Sequence, residues 1–300
     1  MGPSPPRILS APRVLGDVRA TLGEGLCWST RENALWWVDI LEHRLHRDNL
    51  AGAHESWSFD ETISAVAERA SHPGLAVTLR RGLALFDPAT RALERLDEPE
   101  RERDGNRFND GKCDARGRFW GGTMDFATTA GTGALYCFDA AGHATRAIDL
   151  GWIVTNGPTW TLDGRTMFVN DTVRRRIVAY AFDAATGAVG ASREWRVLEP
   201  EDGHPDGMTT DAAGRLWIAH WGGACVTCHD PATAAELARI ELPTAHITNV
   251  AFGGPEMTTL FISSARFDLS EAQLAAQPLA GALFAVELDV AGRPAGLYAG

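Results

Sequence analysis

The residues of this chain best suited to chemistry are oxygen donors that recur at one place in a repeated pattern. They are Glu24, Asn109 with Asp110, Asn156, Asp206 and Asn249, each followed by glycine or an apolar residue. Any one of them could be a simple turn residue, because Asn and Asp favour turns. Together they are carboxylates and carboxamides at equivalent positions. Unpaired carboxylates that face one another repel, and burying them is costly unless a cation binds between them. A donor set without Cys or His suits a hard cation such as Ca²⁺, Mg²⁺ or Mn²⁺ better than structural zinc. The sequence has no Gly-x-Ser-x-Gly elbow. Ester hydrolysis would therefore need a metal to polarise the carbonyl and a carboxylate to activate water. His204 and His220 are other candidate bases, but no carboxylate at a fixed spacing supports either.

These residues sit at the heads of short strands. His204–Gly223 reads as a strand, a turn at Asp211-Ala-Ala-Gly214 and a second strand through Leu216, Trp217 and Ile218. Phe108–Gly122 repeats that pattern and Thr155–Val169 repeats it again. Units opening near Glu24, Ile63, Asn109, Asn156, Asp206 and Asn249 each hold about four short strands, at intervals of roughly 40 to 50 residues. That period predicts an all-β, six-bladed β-propeller with four-stranded blades around a central channel. The last unit is one strand short, and Arg13–Ala20 is expected to complete it. Leu269–Gln277 is expected to form a short helix capped by Ser270. Residues 13–300 then form a single propeller domain, preceded by a flexible segment over residues 1–12. Trp28, Trp36, Trp37, Trp120, Trp160 and Trp217 are expected to pack between blades, with Trp221 nearer the pocket.

Composition narrows the classes of function. The 300 residues are 45% hydrophobic and carry a net charge of −11, which opposes binding to nucleic acid. Of the 28 basic residues only Lys112 is lysine, a bias of composition and not a phosphate-binding signature. No run approaches the roughly 18 apolar residues of a membrane helix, and the N-terminus has no apolar secretory core. A cytoplasmic protein is expected. Five scattered cysteines fit reduced thiols. Cys225-Val-Thr-Cys228 lacks both a second pair and a βαβ setting, so it reads as packing.

Longer motifs add a resemblance. Gly23-Glu24-Gly25-x-x-Trp28, Arg107-Phe-Asn109-Asp110-Gly-Lys112-x-Asp114-x-x-Gly117-Arg118-x-Trp120-x-Gly122-Thr-Met124, Thr155-Asn-Gly-Pro158, Pro205-Asp-Gly-Met208 and Phe252-Gly-Gly-Pro255 occur in that order. In this the chain resembles the SMP-30/gluconolactonase/regucalcin family over roughly Leu15 to Leu288. The resemblance implies a six-bladed propeller with one divalent metal in its channel, held by Glu24, Asn156 and Asp206. It implies that Asp206 also acts as the base, that Arg107 and Asn109 face the substrate, and that Asp110 supports the site from behind. The implied reaction is hydrolysis of aldonolactones such as gluconolactone, xylonolactone or arabinonolactone. Ca²⁺ is the favoured metal, with Zn²⁺, Mn²⁺ or Fe²⁺ as alternatives. Two other readings stay open: hydrolysis of phosphotriesters or other esters on the same metal ring, and a non-catalytic calcium-binding propeller.

Overall fold

The computed structural model describes residues 4–300. Strand β1 is Arg13–Leu15. Blade one is β2–β5 (Gly23–Ser29, Ala34–Asp39, Arg44–Asn49, His54–Ser58) and blade two is β6–β9 (Ile63–Glu68, Leu75–Leu79, Leu83–Phe86, Leu93–Arg95). Blade three is β10–β13 (Asn106–Cys113, Phe119–Asp125, Gly133–Phe138, Ala144–Trp152). Blade four is β14–β17 (Thr155–Trp160, Thr166–Asp171, Arg176–Phe182, Val189–Val197). Blade five is β18–β21 (His204–Thr210, Leu216–Trp221, Cys225–His229, Glu236–Glu241), and blade six starts with β22–β24 (Ile247–Gly253, Thr259–Ser264, Leu283–Glu287). Each blade is an antiparallel four-stranded sheet, and β1 pairs with β24 to give blade six its fourth strand. The closing strand is thus where it was expected, but it spans three residues, because Gly16 turns away with a positive φ. Strands β2, β6, β10, β14, β18 and β22 contact one another in a ring, with β22 returning to β2.

The blades hold together because each pair of neighbours buries its own apolar layer, as an isolated four-stranded sheet could not. Six separate clusters of buried side chains occupy the six interfaces. Five of the six tryptophans assigned to packing are buried in these layers; Trp160 is half-buried and packs edge-on against Trp120.

Two of the three sequence copies share a corner with a clear physical cause. The Asp211 carboxylate accepts the backbone N–H groups of Ala213 and Arg215 at 2.9 and 3.0 Å, then the Arg215 Nε and Trp217 Nε1 at 2.7 and 2.9 Å. Asp114 does the same with Arg116, Arg118 and Trp120. One carboxylate therefore fixes the tight turn and also satisfies the indole N–H buried behind it. In the third copy, among the described residues, the Asp163 carboxylate bonds to Thr161 and the Arg165 N–H alone, on an exposed turn.

Of the expected flexible segment, residues 1–3 lie outside the described residues. Beyond them Leu9 N–H donates to Glu287 O at 2.8 Å, Arg7 pairs with Asp289 and Ser4 O accepts from Arg215. Ser270 caps helix α1 (Glu271–Ala276) through a capping box with Gln273. No helix among the described residues is long and apolar enough to cross a membrane. The chain after β24 crosses the lower end of the channel, away from the heads of the inner strands. It forms bridges from Gly292 to Asp211 and from Tyr298 to Arg69. Above it lies a cavity of about 200 Å³ lined by all six inner strands and by Arg293–Gly296.

Candidate functional site

One irregularity repeats in the inner strands and builds the site. Each pairs with the next strand for one to three residues, breaks register and then pairs again. The breaks fall between Glu24 and Cys27, Ile63 and Ala65, Phe108 and Gly111, Asn156 and Thr159, Pro205 and Met208, and Ile247 and Val250. A bulge frees a backbone N–H from the ladder and re-aims the side chain beside it. Here the side chain itself takes that N–H. Glu24 accepts from Gly25 at 3.1 Å, Asp110 from Gly111 at 2.8 Å and Asn249 from Val250 at 2.8 Å. Asp206 makes the same contact with Gly207. In blade two the position holds Ser64, which bonds to Thr78 at 3.0 Å. Glycine is required after Asp206 because the strands crowd at the axis: a Cβ on Gly207 would stand 2.5 to 2.8 Å from Asn249.

The result is a continuous buried polar network at the upper channel mouth. Arg107 Nη1 donates to Asn109 Oδ1 at 2.6 Å and to Phe108 O at 2.9 Å. Asn109 Nδ2 passes the chain to Asn156 Oδ1 at 2.7 Å. Asn156 Nδ2 donates to the Thr172 hydroxyl at 2.9 Å, which donates in turn to Pro205 O at 2.8 Å. Asn170, opposite Asn156 in the ladder, holds the Asp206 carbonyl with its amide. On the other side Asn249 Nδ2 donates to Glu24 at 2.8 Å and to Asp110 at 3.4 Å, and Asp110 accepts from Gly157 N–H at 3.0 Å.

Carboxyl groups outnumber cationic side chains in this network. Burial, then the neighbouring Asp110, pushes the Glu24 carboxyl up to about 8. Burial, then Glu24 and Asp110, holds Asp206 well above the usual carboxylate range. Burial also raises Asp110, although Lys112 approaching from the lower channel works against the rise. The guanidinium within the cluster belongs to Arg107, which burial lowers to about 10 against the pull of Glu24 and Asp206. No group of three or more His, Cys, Asp or Glu side chains among the described residues could hold a metal ion alone. A cation here would have to use amide oxygens beside the carboxylates. Asn156 fits that need, because Thr172 fixes its amide and Oδ1 keeps a second lone pair beyond Asn109. The oxygen-donor chemistry and the crowding of three buried carboxyls, whose ionised forms a cation would stabilise, suit a hard divalent cation.

Glu24, Arg107, Asn109, Asp110, Asn156 and Asp206, far apart in sequence, thus meet in one buried cluster. His204 stands at its rim, with Nδ1 2.9 Å from Thr172 O. His220 has both ring nitrogens engaged, with Asp202 O at 2.9 Å and Thr227 Oγ1 at 2.6 Å. Trp221 stacks on His246 at 3.9 Å, apart from the polar network. Asn249 was legible as a ring member, but its bridging of two carboxylates was not. Thr172 and Asn170 carried no signal, since each follows an ordinary apolar strand segment.

Comparison with known proteins bears on the family and the fold. A family model described as SMP-30/Gluconolactonase/LRE-like region matches residues 22–266. The chain is 38% identical to the pentonolactonase XacC of Haloferax volcanii, over 93% of this chain and 94% of the relative. It is 35% identical to the 6-deoxy-6-sulfogluconolactonase of Pseudomonas putida, over 94% and 96% respectively. The crystal structure of a calcium-binding protein, regucalcin, from Agrobacterium tumefaciens superposes with a TM-score of 0.91 at 32% identity, covering 96% of this chain and 97% of that one. With the same six-bladed ring and this extent of shared sequence, the chain belongs to the SMP-30/gluconolactonase/LRE-like family.

Proposed function

We propose that this protein hydrolyses sugar lactones to aldonic acids with the help of one divalent cation. The observation that carries the proposal is the burial of Glu24, Asp110 and Asp206 together at the channel mouth, in a chain whose relatives include named sugar lactonases. Glu24, Asn156 and Asp206 would hold the cation, with Ca²⁺ the first candidate because it accepts irregular oxygen shells. When bound, the cation supplies a Lewis acid for the lactone carbonyl.

The protein's own residues do the rest. Among the described residues Arg107 is fixed by Asn109 and Phe108 O through Nη1 alone, so its other N–H groups are placed to bind substrate hydroxyls. Asn109 lies between Arg107 and Asn156 and orients the substrate toward the cation site. Asp206 draws a proton from water as the water oxygen attacks the acyl carbon. The acyl–oxygen bond then breaks, the ring oxygen takes a proton, and the open-chain hydroxy acid leaves. Asp110 stays behind the site, held by Gly111, Gly157 and Asn249.

The test is acid release from gluconolactone, xylonolactone and arabinonolactone, followed at mildly acidic pH above the spontaneous rate. Chelator-treated protein should be inactive and should recover when a divalent cation is returned. Calcium binding without any acid release would favour a non-catalytic propeller. Acid release that chelation leaves unchanged would remove the cation from the mechanism.

A further inference from the structure

Arg80 follows β7 at the upper rim of blade two, and its guanidinium lies over the Phe126 ring, 5.5 Å from the centroid. The Arg107 guanidinium lies over the same ring at 5.6 Å. Phe126 is 41% exposed, so this ring and its two cations front the mouth of the channel. Two guanidinium groups gathered on one phenyl ring repel each other unless an anion joins them.

Among the described residues no carboxylate pairs with the Arg80 guanidinium; Glu61 accepts only the Arg80 backbone N–H, at 3.1 Å. Asp104 is paired with Arg81 at 2.7 Å, and Glu61 is paired with Arg95. Asp125 accepts the N–H groups of Ala127, Thr129 and Ala130 in its own loop, which hold its carboxyl below the usual range and set Phe126 in place. The Arg80 guanidinium, among the described residues, bonds to main-chain carbonyls, with Nε 3.5 Å from Asn106 O and Nη2 on Asp104 O. Those bonds aim the side chain and leave Nη1 without a partner among the described residues. A guanidinium braced by backbone, beside an aromatic face and next to the substrate-binding arginine, has the form of an anion receptor.

We infer that Arg80, together with Arg107 and Phe126, recognises an anionic substituent on the substrate, such as a carboxylate, sulfonate or phosphate remote from the ester that is cleaved. This rests on the lactonase reading and narrows its substrate class. A neutral sugar lactone satisfies Arg107 through its hydroxyls and leaves Arg80 facing water. A lactone with an anionic tail engages both.

The γ-lactones of D-gluconic and D-glucaric acid test this directly, since they differ only in CH₂OH against carboxylate at the far end. With cation-loaded wild-type protein, KM for the glucaric lactone should be about tenfold lower at low salt, the worth of one charge-assisted hydrogen bond. The gap should narrow at high salt, because Arg80 is only half-buried. Arg80→Met should remove most of the preference through KM and not kcat, and Arg80→Lys should keep part of it. The preference is a ratio within one protein, so a poorly folded variant does not mimic the effect. Absence of a preference in the wild type, or its survival in Arg80→Met, would overturn the inference. If neither lactone is hydrolysed, the lactonase reading fails on its own. Calorimetry then still decides the role of Arg80: D-glucarate must bind more tightly than D-gluconate, and Arg80→Met must abolish the difference.

Discussion

The buried carboxylates make a prediction that needs no substrate: without a cation, they weaken the fold as pH rises, and Glu24→Gln should remove the Glu24 share of that. Burial and Asp110 place the Glu24 carboxyl at about 8, against 4.5 for the free group. A carboxyl whose folded value is raised contributes stability that is complete below its unfolded value and is lost as pH rises through the folded one. The unfolded chain releases the proton first, so stability falls between the two. Burial lowers His46 to about 3 and His229 to about 4, and it also lowers His220 and His246. These groups act with the opposite sign and are still titrating in the unfolded chain above pH 6.5, but they are common to wild type and Glu24→Gln and cancel in the difference between the two. Across pH 6.5 to 8 the difference in stability between wild type and Glu24→Gln should therefore change by about 2 kcal/mol. In a chain of this length that is roughly 3 °C in Tm. A cation at a hundredfold excess over its Kd should restore about 2.7 kcal/mol. The assay is thermal unfolding by circular dichroism across that window, in chelator and in excess Ca²⁺, for wild type and Glu24→Gln. A chelated wild type whose Tm keeps a constant offset from that of Glu24→Gln between pH 6.5 and 8 would refute the charge argument. So would a Glu24→Gln protein that keeps the full gain from the cation.

Three further outcomes follow from the same geometry. Asp206→Asn keeps an oxygen donor and removes the base, so it should still bind cation by calorimetry while turnover drops about 10²- to 10⁴-fold; near-normal turnover would move that role to His204 or elsewhere. Asp211→Ala strands the buried Arg215 guanidinium and the Trp217 indole N–H, at a cost of about 3–5 kcal/mol in chemical denaturation. A loss under about 1 kcal/mol would show that the corner is not what holds blade five. Removing residues 1–15 deletes β1 and bares the edge of β24, and the truncated chain should melt several degrees lower. An unchanged melting curve would mean that the closing strand adds nothing to closure.

Much of this architecture is a property of local sequence. A period of strands and turns can be read along the chain because alternation and turn chemistry are short-range. The Asp-x-x-Gly-Arg-x-Trp copies at Asp114 and Asp211 are visible because every bond of that corner lies within six residues. The ring of Glu24, Asn109, Asp110, Asn156, Asp206 and Asn249 is legible for a related reason, since equivalent positions of a closed repeat must converge. Ring closure by β1, and not only ring membership, also follows from counting strands. What the sequence could not decide was which ring members touch. Asn249 bridges Glu24 and Asp110 across separations of 225 and 139 residues, and no local pattern encodes those contacts. The segment after β24 crosses the channel floor through bridges to blades two and five, although its own composition reads as an ordinary tail. Arg80 and Phe126 sit on separate loops of adjacent blades with nothing in either loop to pair them. Those contacts exist only once six bulged strands are brought to a common axis. There the lost ladder bonds and the shared burial, both tertiary quantities, decide where each side chain points and what charge it can hold.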